Sequence, residues 1–140
     1  METDWDAIII GGGPAGSTVA RYAAQGGAKV LVIDSRKEIG TPLQCGELVP
    51  TNKELKRLCP DVPDIDDLFR RTEEIVSKRT TEMGLVTPSG KKLTYPFEGE
   101  ILYRPLHDQH LVKMAKAAGA DYLTKSKVDD VVDNLSLIHI

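Results

Sequence analysis

The first apolar run of the chain covers residues 6–10, is rich in branched side chains and stops at three consecutive glycines. A run of this length and composition predicts a buried parallel strand. Residues 14–25 have apolar positions at helical spacing, and the two glycines that follow are typical of a helix end. A second apolar run over residues 29–34 closes on an acid. The pattern predicts one βαβ unit over residues 4–34 with a right-handed crossover.

The pattern changes over residues 35–50, where repeated glycine and proline predict a loop. Thr51, followed by Glu54 three residues later, predicts a short helix that starts with a capping box. Further predicted elements are a β-hairpin over 80–97 that turns at Pro88-Ser89-Gly90, a helix whose first residue is Pro105, and strands over 121–124 and 128–132. Together these elements predict an α/β fold.

The glycine-rich turn contains the pattern G-x-G-x-x-G at Gly11, Gly13 and Gly16. Gly11 permits a tight turn, Gly13 lets the backbone approach a pyrophosphate, and Gly16 lets the helix pack closely on the sheet. The helix N-terminus favours an anion, and Asp34 lies 18 residues after Gly16, where it can accept hydrogen bonds from ribose hydroxyls. The context of strand, turn, helix and acid-ended strand predicts a dinucleotide site. FAD and NAD both remain open; the position of the unit near the chain start favours FAD.

Composition narrows the class of protein without identifying it. The chain has 140 residues, of which 41% are hydrophobic and 28% charged, as in an ordinary globular domain. A net charge of −3 argues against nucleic acid as a general partner. The two cysteines, Cys45 and Cys59, cannot build a disulfide framework, which favours a reducing cytoplasm. No stretch approaches the roughly 20 apolar residues of a membrane span, and no Cys/His spacing predicts a metal site.

Two further segments carry a resemblance to a known family. Residues 39–47 read IGTPLQCGE and residues 103–111 read YRPLHDQHL. Taken with the glycine turn, they resemble the geranylgeranyl reductase family, and most closely its archaeal digeranylgeranylglycerophospholipid reductases. The resemblance extends over most of residues 4–133. It implies a Rossmann-type FAD-binding βαβ unit with a parallel sheet, plus part of the inserted β-hairpin region of a fold like that of p-hydroxybenzoate hydroxylase.

The resemblance also implies an activity. A member of this family holds FAD tightly and uses reduced flavin to saturate the isolated double bonds of a prenyl lipid. The electron donor, NAD(P)H or ferredoxin, stays open. A lipid substrate implies peripheral association with the membrane. The alternatives are another FAD-dependent monooxygenase or dehydrogenase, and an FAD-binding electron-transfer module without catalysis.

Cofactor-binding residues carry over from the family position by position. Ala15 falls where the family holds the pyrophosphate, and Asp34 where it holds the adenosine ribose. The remaining matches are Cys45, Gly46 and Leu48 in the loop near the flavin, Arg104 at the start of a helix, and Val128 next to the adenine.

Three positions depart from the family pattern. Asp34 stands where glutamate is more common, and Leu48 where glycine is, so that only a backbone contact is expected from Leu48. His107 replaces an aromatic residue and leaves Asp108 as the better anchor of its motif.

Several of these residues also have an ordinary structural interpretation. Cys45 is either close to the flavin or a small loop residue without chemistry. Arg104 is a cation at a helix start, an unfavourable place that an anionic partner would make favourable. His107 and His110 are interpreted as partly exposed helix residues.

The domain prediction assigns residues 1–134 to the N-terminal portion of an FAD/NAD(P)-binding domain. Residues 135–140 resemble a translated sequencing adapter, and we expect the natural sequence to end near Asn134. A doubly wound sheet without its later strands would leave apolar surface uncovered. We therefore expect the isolated chain to be inactive, and either poorly soluble or only partly folded.

Overall fold

The structure, a computed structural model, describes residues 4–43, 45 and 47–131. The chain divides into two units, one formed by residues up to Ile39 together with those from Leu111 onward, the other by Gly40–His110. In chain order the elements are β1 (Ala7–Ile10), α1 (Pro14–Gln25), β2 (Val30–Ile33), β3 (Leu48–Pro50), α2 (Asn52–Leu58), α3 (Ile65–Leu68), a short 3-10 helix (Glu73–Ile75), β4 (Val76–Val86), β5 (Lys92–Leu102), α4 (Arg104–Ala117) and β6 (Asp121–Leu123).

The first unit contains a parallel sheet in the order β1-β2-β6. One face of this sheet packs against helix residues in a small core. The buried members of that core are Ala20, Val30, Val32, Ala115 and Ala120. Small side chains at these positions allow the helix backbone to approach the strands closely, which is the packing that the βαβ pattern predicts.

The opposite face of the same sheet is more open. Ile8 and Ile10 alternate with the covered residues of β1 and are 57% and 59% exposed. Their partners across the register are Leu31 and Ile33 of β2. The parallel sheet therefore presents a row of branched apolar side chains on the face that does not contain the core.

The βαβ prediction is confirmed, with α1 spanning the predicted residues 14–25 and both strands present. The strand predicted over 128–132 is wrong over 128–131, which are irregular, and residue 132 lies outside the described residues. Asp129 and Asp130 are exposed, and Lys127 forms an ion pair with Asp129 at 2.7 Å. Aspartate is unfavourable in strands, and the valines at 128 and 131 do not overcome that preference.

The second unit contains an antiparallel sheet in the order β3-β5-β4. The predicted hairpin is confirmed, and its strands extend beyond 80–97 to cover 76–102 apart from the turn. The loop predicted over 35–50 is wrong at its end, since Leu48–Pro50 pairs with β5. Gly90 has φ +81° in the turn, as the Pro-Ser-Gly sequence predicts.

The predicted capping box at the start of α2 forms only in part. The Thr51 hydroxyl accepts a hydrogen bond from the Glu54 N–H at 3.2 Å, as expected. The Glu54 carboxylate instead accepts from Arg57, and the Thr51 N–H donates to the Glu98 carbonyl at 2.9 Å. The Thr51 N–H, which Glu54 would accept in a complete capping box, is thus paired with β5 instead.

Helix α4 begins one residue earlier than predicted, at Arg104 rather than at Pro105. Proline is accepted at the second helical residue because N–H groups in the first turn have no partner within the helix. Gly119 follows the helix with φ +109°, as predicted for the residue that closes it.

Candidate cofactor site

The glycine turn between β1 and α1 is fixed by close backbone contacts. Gly11 has φ +99°, a conformation that side chains disfavour. A Cβ at Gly16 would collide with the Gly11 carbonyl oxygen, so the helix can approach the turn only without a side chain there. The Ser17 hydroxyl donates to the Gly12 carbonyl at 2.8 Å and accepts from the Tyr122 hydroxyl at 3.0 Å. The turn therefore has the geometry that the glycine spacing predicts.

The N-terminus of α1 is arranged to receive an anion. Gly13 is the N-cap residue, Pro14 follows, and no side chain caps the first turn. Ala15 is exposed at the second helical residue. Backbone N–H groups at an uncapped helix start carry partial positive charge and favour phosphate oxygens.

Asp34 directly follows β2, and its carboxylate is held by four hydrogen bonds. Oδ2 accepts from the Gly12 N–H at 2.7 Å and from Nη2 of Arg36 at 2.7 Å. Oδ1 accepts from the Arg36 backbone N–H at 2.8 Å and from its Nε at 2.9 Å. The Arg36 side chain is the main cause that lowers the pKa of Asp34 to about 2, and the N–H groups of Arg36 and Gly12 lower it further against the effect of burial. Asp34 is therefore ionised at neutral pH.

A cleft of about 240 Å³ opens at the carboxyl ends of β1 and β2. It is lined by Gly11, Asp34 and Val128, three of the residues predicted to bind the cofactor. Ligands bind at this edge of open α/β sheets. Two backbone hydrogen bonds hold the segment before Val128 against the end of β2. The Lys125 N–H donates to the Arg36 carbonyl and the Ser126 N–H donates to the Asp34 carbonyl, each at 3.0 Å.

The sequence prediction missed Arg36, which lines the same cleft. Its side chain is 27% exposed and forms the ion pair with Asp34. An arginine two residues beyond an acid that ends a strand was the available signal. Spacing alone could not show that its guanidinium turns back onto that acid.

Two of the predicted residues come together in the second unit. The pKa of Arg104 is raised chiefly by its hydrogen bond to Asp108 and in smaller part by the neighbouring Cys45 side chain. Cys45 itself is exposed. Leu48 is 41% exposed in β3 rather than in a loop, and Gly46 lies outside the described residues.

Asp108, one turn along α4, compensates the positive charge of Arg104 at the start of the helix. Nε and Nη2 of Arg104 donate to the two Asp108 oxygens at 3.1 and 3.2 Å. His107 Nδ1 lies 3.2 Å from Asp108 Oδ1. Burial acts to raise the pKa of Asp108, but hydrogen bonds from His107 and Arg104 outweigh it and lower the pKa. The position of Arg104 therefore does not by itself require an external anion.

The two segments that carry the family resemblance pack against each other at Gly40. This residue has φ +92°, and a Cβ there would lie 2.8 Å from the Pro105 Cα and 3.3 Å from the Asp108 Cβ. The glycine of IGTP is thus required by the helix start that follows Tyr103.

Among residues 4–43, 45 and 47–131, no three His, Cys, Asp or Glu side chains are grouped to hold a metal ion. In the same part of the chain, every helix is too short or too polar to cross a bilayer.

The geometry defines an α/β protein with a dinucleotide-type site, and comparison with known proteins agrees. A family model described as an NAD(P)-binding Rossmann-like domain matches residues 9–55. An uncharacterized protein of the nifH2 5′ region of Methanosarcina barkeri is 35% identical, with 93% of this chain and 70% of that protein covered. Digeranylgeranylglycerophospholipid reductase 1 of Methanosphaera stadtmanae is 37% identical, with 92% of this chain and 31% of that protein covered.

Solved structures give the same result. A geranylgeranyl bacteriochlorophyll reductase-like protein from Thermoplasma acidophilum superposes with a TM-score of 0.77 at 30% identity, over 93% of this chain and 32% of that one. The halogenase PltM, solved with phloroglucinol and FAD, superposes with a TM-score of 0.68 at 21% identity, over 94% of this chain and 30% of that one, and shows the shared fold alone.

The chain is similar to digeranylgeranylglycerophospholipid reductases and to a geranylgeranyl reductase-like protein of known structure, so the predicted resemblance and the predicted fold class are confirmed. It spans about a third of the length of the curated reductases it matches, 31% and 32% for two of them.

Proposed function

We propose that this chain binds FAD and forms the cofactor-binding part of a reductase that saturates prenyl double bonds of a membrane lipid. The observation that carries the proposal is the cleft in which Gly11, Asp34 and Val128 meet beside the uncapped start of α1. These groups suit the adenosine end of a dinucleotide. Ionised Asp34 suits ribose hydroxyls, and its charge repels a 2′-phosphate.

Each part of this site has a defined task. The start of α1, from Gly13 to Ala15, would hold the diphosphate through backbone N–H groups. Asp34 would fix the ribose, and Val128 would contact the adenine. When bound, FAD supplies hydride transfer, which side chains alone cannot perform.

Within the second unit, Cys45 and Arg104 are residues that the family resemblance assigns to cofactor binding. Cys45 and Arg104 are adjacent, and Asp108 holds the Arg104 guanidinium in one orientation through two hydrogen bonds. A fixed guanidinium offers donors to an oxygen-rich ligand without further ordering of its side chain. Both residues were predicted to bind the cofactor, and their proximity supports that prediction.

Substrate and electron donor are part of the proposal. The relatives named as digeranylgeranylglycerophospholipid reductases suggest a prenyl lipid, and a lipid substrate suggests peripheral contact with a membrane. A reductase also needs a reduced donor, NAD(P)H or ferredoxin. Because the chain spans about a third of those relatives, we expect it to bind the cofactor without reducing a lipid by itself.

The cofactor is tested by reconstituting the purified chain with FAD, NAD⁺ or NADP⁺ and measuring what remains bound after gel filtration. We expect retained flavin absorption with FAD and weaker binding of both nicotinamide dinucleotides. Asp34→Asn should lose FAD, whereas the exposed control Asp61→Asn should keep it. Retention of a nicotinamide dinucleotide in preference to FAD would contradict the proposal.

The activity is tested by a chimera in which residues 4–131 replace the matching segment of the Methanosphaera stadtmanae reductase. The chimera should bind FAD and, with dithionite as reductant, add one molecule of hydrogen per double bond to a digeranylgeranyl lipid, as measured by mass spectrometry. A chimera that binds FAD but leaves the lipid unchanged, beside an active parent enzyme, would favour a cofactor-binding module without this activity.

A further inference from the structure

Donors of the chain itself occupy every acceptor position of the Asp34 carboxylate. A carboxylate offers about four lone-pair sites, and four donors occupy them here, three from Arg36 and one from Gly12. A ribose hydroxyl can be accepted only after one of these donors leaves. The site that Asp34 is predicted to form is therefore closed by the chain itself.

The donors that can leave are those of the Arg36 side chain. The other two belong to the backbone of Gly12 and Arg36, which the turn and the end of β2 hold in place. The Arg36 side chain is 27% exposed and can change rotamer towards solvent. Its departure would free one position on each Asp34 oxygen, enough for two ribose hydroxyls.

The Arg36 guanidinium also lies next to the place predicted for the diphosphate. Its Nη2 is 3.9 Å from the position that a Cβ on Gly13 would occupy. Gly13 is the N-cap of α1 and the residue whose missing side chain lets a diphosphate approach. A guanidinium binds phosphate through paired N–H groups as readily as it binds carboxylate.

We propose that Arg36 exchanges partners when the cofactor binds, leaving the Asp34 carboxylate for the diphosphate and opening Asp34 to the ribose. The exchange keeps Arg36 paired with an anion in both states and leaves Asp34 fully hydrogen-bonded in both. It rests on the dinucleotide site of the proposed function and adds a phosphate-binding residue to it.

The test compares adenosine, ADP and FAD as ligands of the purified chain by isothermal titration calorimetry at low and at physiological salt. Arg36→Gln should lower the affinity for ADP and for FAD by about tenfold or more, the size expected for the loss of hydrogen bonds to a charged group. Its affinity for adenosine should equal or exceed that of the wild type. The ADP and FAD affinities of Arg36→Lys should lie between those of the wild type and of Arg36→Gln, because lysine keeps the charge but not the paired donors. Asp34→Asn should weaken adenosine and ADP by the same factor.

Lys37→Gln is the matched control, since it removes an exposed positive charge one residue away. It should change ADP affinity by less than about threefold. The ADP affinity of Arg36→Gln should also depend less on salt than that of the wild type, because one phosphate contact is lost.

Three results would overturn the inference. Arg36→Gln could weaken adenosine and ADP by the same factor, which would make Arg36 a support for Asp34 rather than a phosphate ligand. Arg36→Gln could raise the affinity for both adenosine and ADP, which would mean that Arg36 only blocks access to Asp34. Asp34→Asn could leave adenosine unaffected, so that Asp34 is no ribose ligand. A wild-type chain that binds none of the three ligands would instead contradict the proposed function itself.

Discussion

The Asp34 carboxylate should stabilise the folded chain in a pH-dependent way, and Asp34→Asn removes that contribution. Its pKa falls from 3.8 to about 2 in the folded state. At 1.36 kcal/mol per pKa unit, this shift corresponds to about 2 kcal/mol of folding free energy at neutral pH. The residue is 4% exposed, so solvent screening reduces this value little.

The sign of the effect follows from the direction of the shift. The folded pKa lies below the unfolded one, so the stabilisation is complete above about pH 4 and is lost as the pH falls through about 2. Asp34→Asn should therefore lower the free energy of unfolding by about 2 kcal/mol at neutral pH, and the difference from wild type should disappear in strong acid.

The assay is urea unfolding followed by circular dichroism across this pH range. Asp61→Asn serves as the control, because Asp61 is exposed. If the wild-type chain precipitates, the wild type and both variants are compared in an Ile8→Thr background, because Ile8 is exposed on the open sheet face and does not line the cleft that contains Asp34. The reasoning would be refuted if Asp34→Asn lowered the free energy of unfolding equally at neutral and at acid pH. That result would show that the ionised form of Asp34 does not stabilise the fold.

Three further predictions concern the fold. Thr51→Ala should cost about 1 kcal/mol in urea unfolding, because it removes the cap of α2. Gly40→Ala should cost about 2 kcal/mol or more in the same assay, since alanine is strained at φ +92° and its Cβ would meet Pro105; an unchanged midpoint would contradict that packing. Ile8→Thr/Ile10→Thr should raise the soluble yield of the chain, whereas Ile9→Thr, on the core side of β1, should lower it; equal yields would argue against the open face.

The parts of the fold that sequence could predict are those decided locally. The helix over 14–25 has a proline at its first position and glycines after its end, and its bounds match the structure. Strand β3 was missed because three residues ending in Pro50 carry no periodic signal and become a strand only by pairing with β5, about fifty residues later. The predicted strand after β6 failed because two aspartates interrupt its valines, and residues 128–131 are irregular.

The candidate site shows the same division. The turn glycines and Asp34 could be predicted, because backbone conformation and the end of a strand are readable from spacing. The ion pair between Arg36 and Asp34 depends on one rotamer of a long side chain, and sequence spacing does not determine rotamers. By contrast, Asp108 could have been predicted as the partner of Arg104, because an acid four residues along a helix lies on the same face.

Arg36 and Arg104 each pair with an aspartate through Nε and Nη2, but the two aspartates differ in what they must do. Asp108 has no predicted ligand, so Arg104 can keep both hydrogen bonds and present its remaining N–H groups to a cofactor. Asp34 has a predicted ligand, so the bonds that hold Arg36 occupy the positions a ribose needs. Loss of the acid should therefore disorder Arg104 but release Arg36. An ADP affinity reduced by Asp108→Asn and unaffected by Arg36→Gln would reverse that assignment.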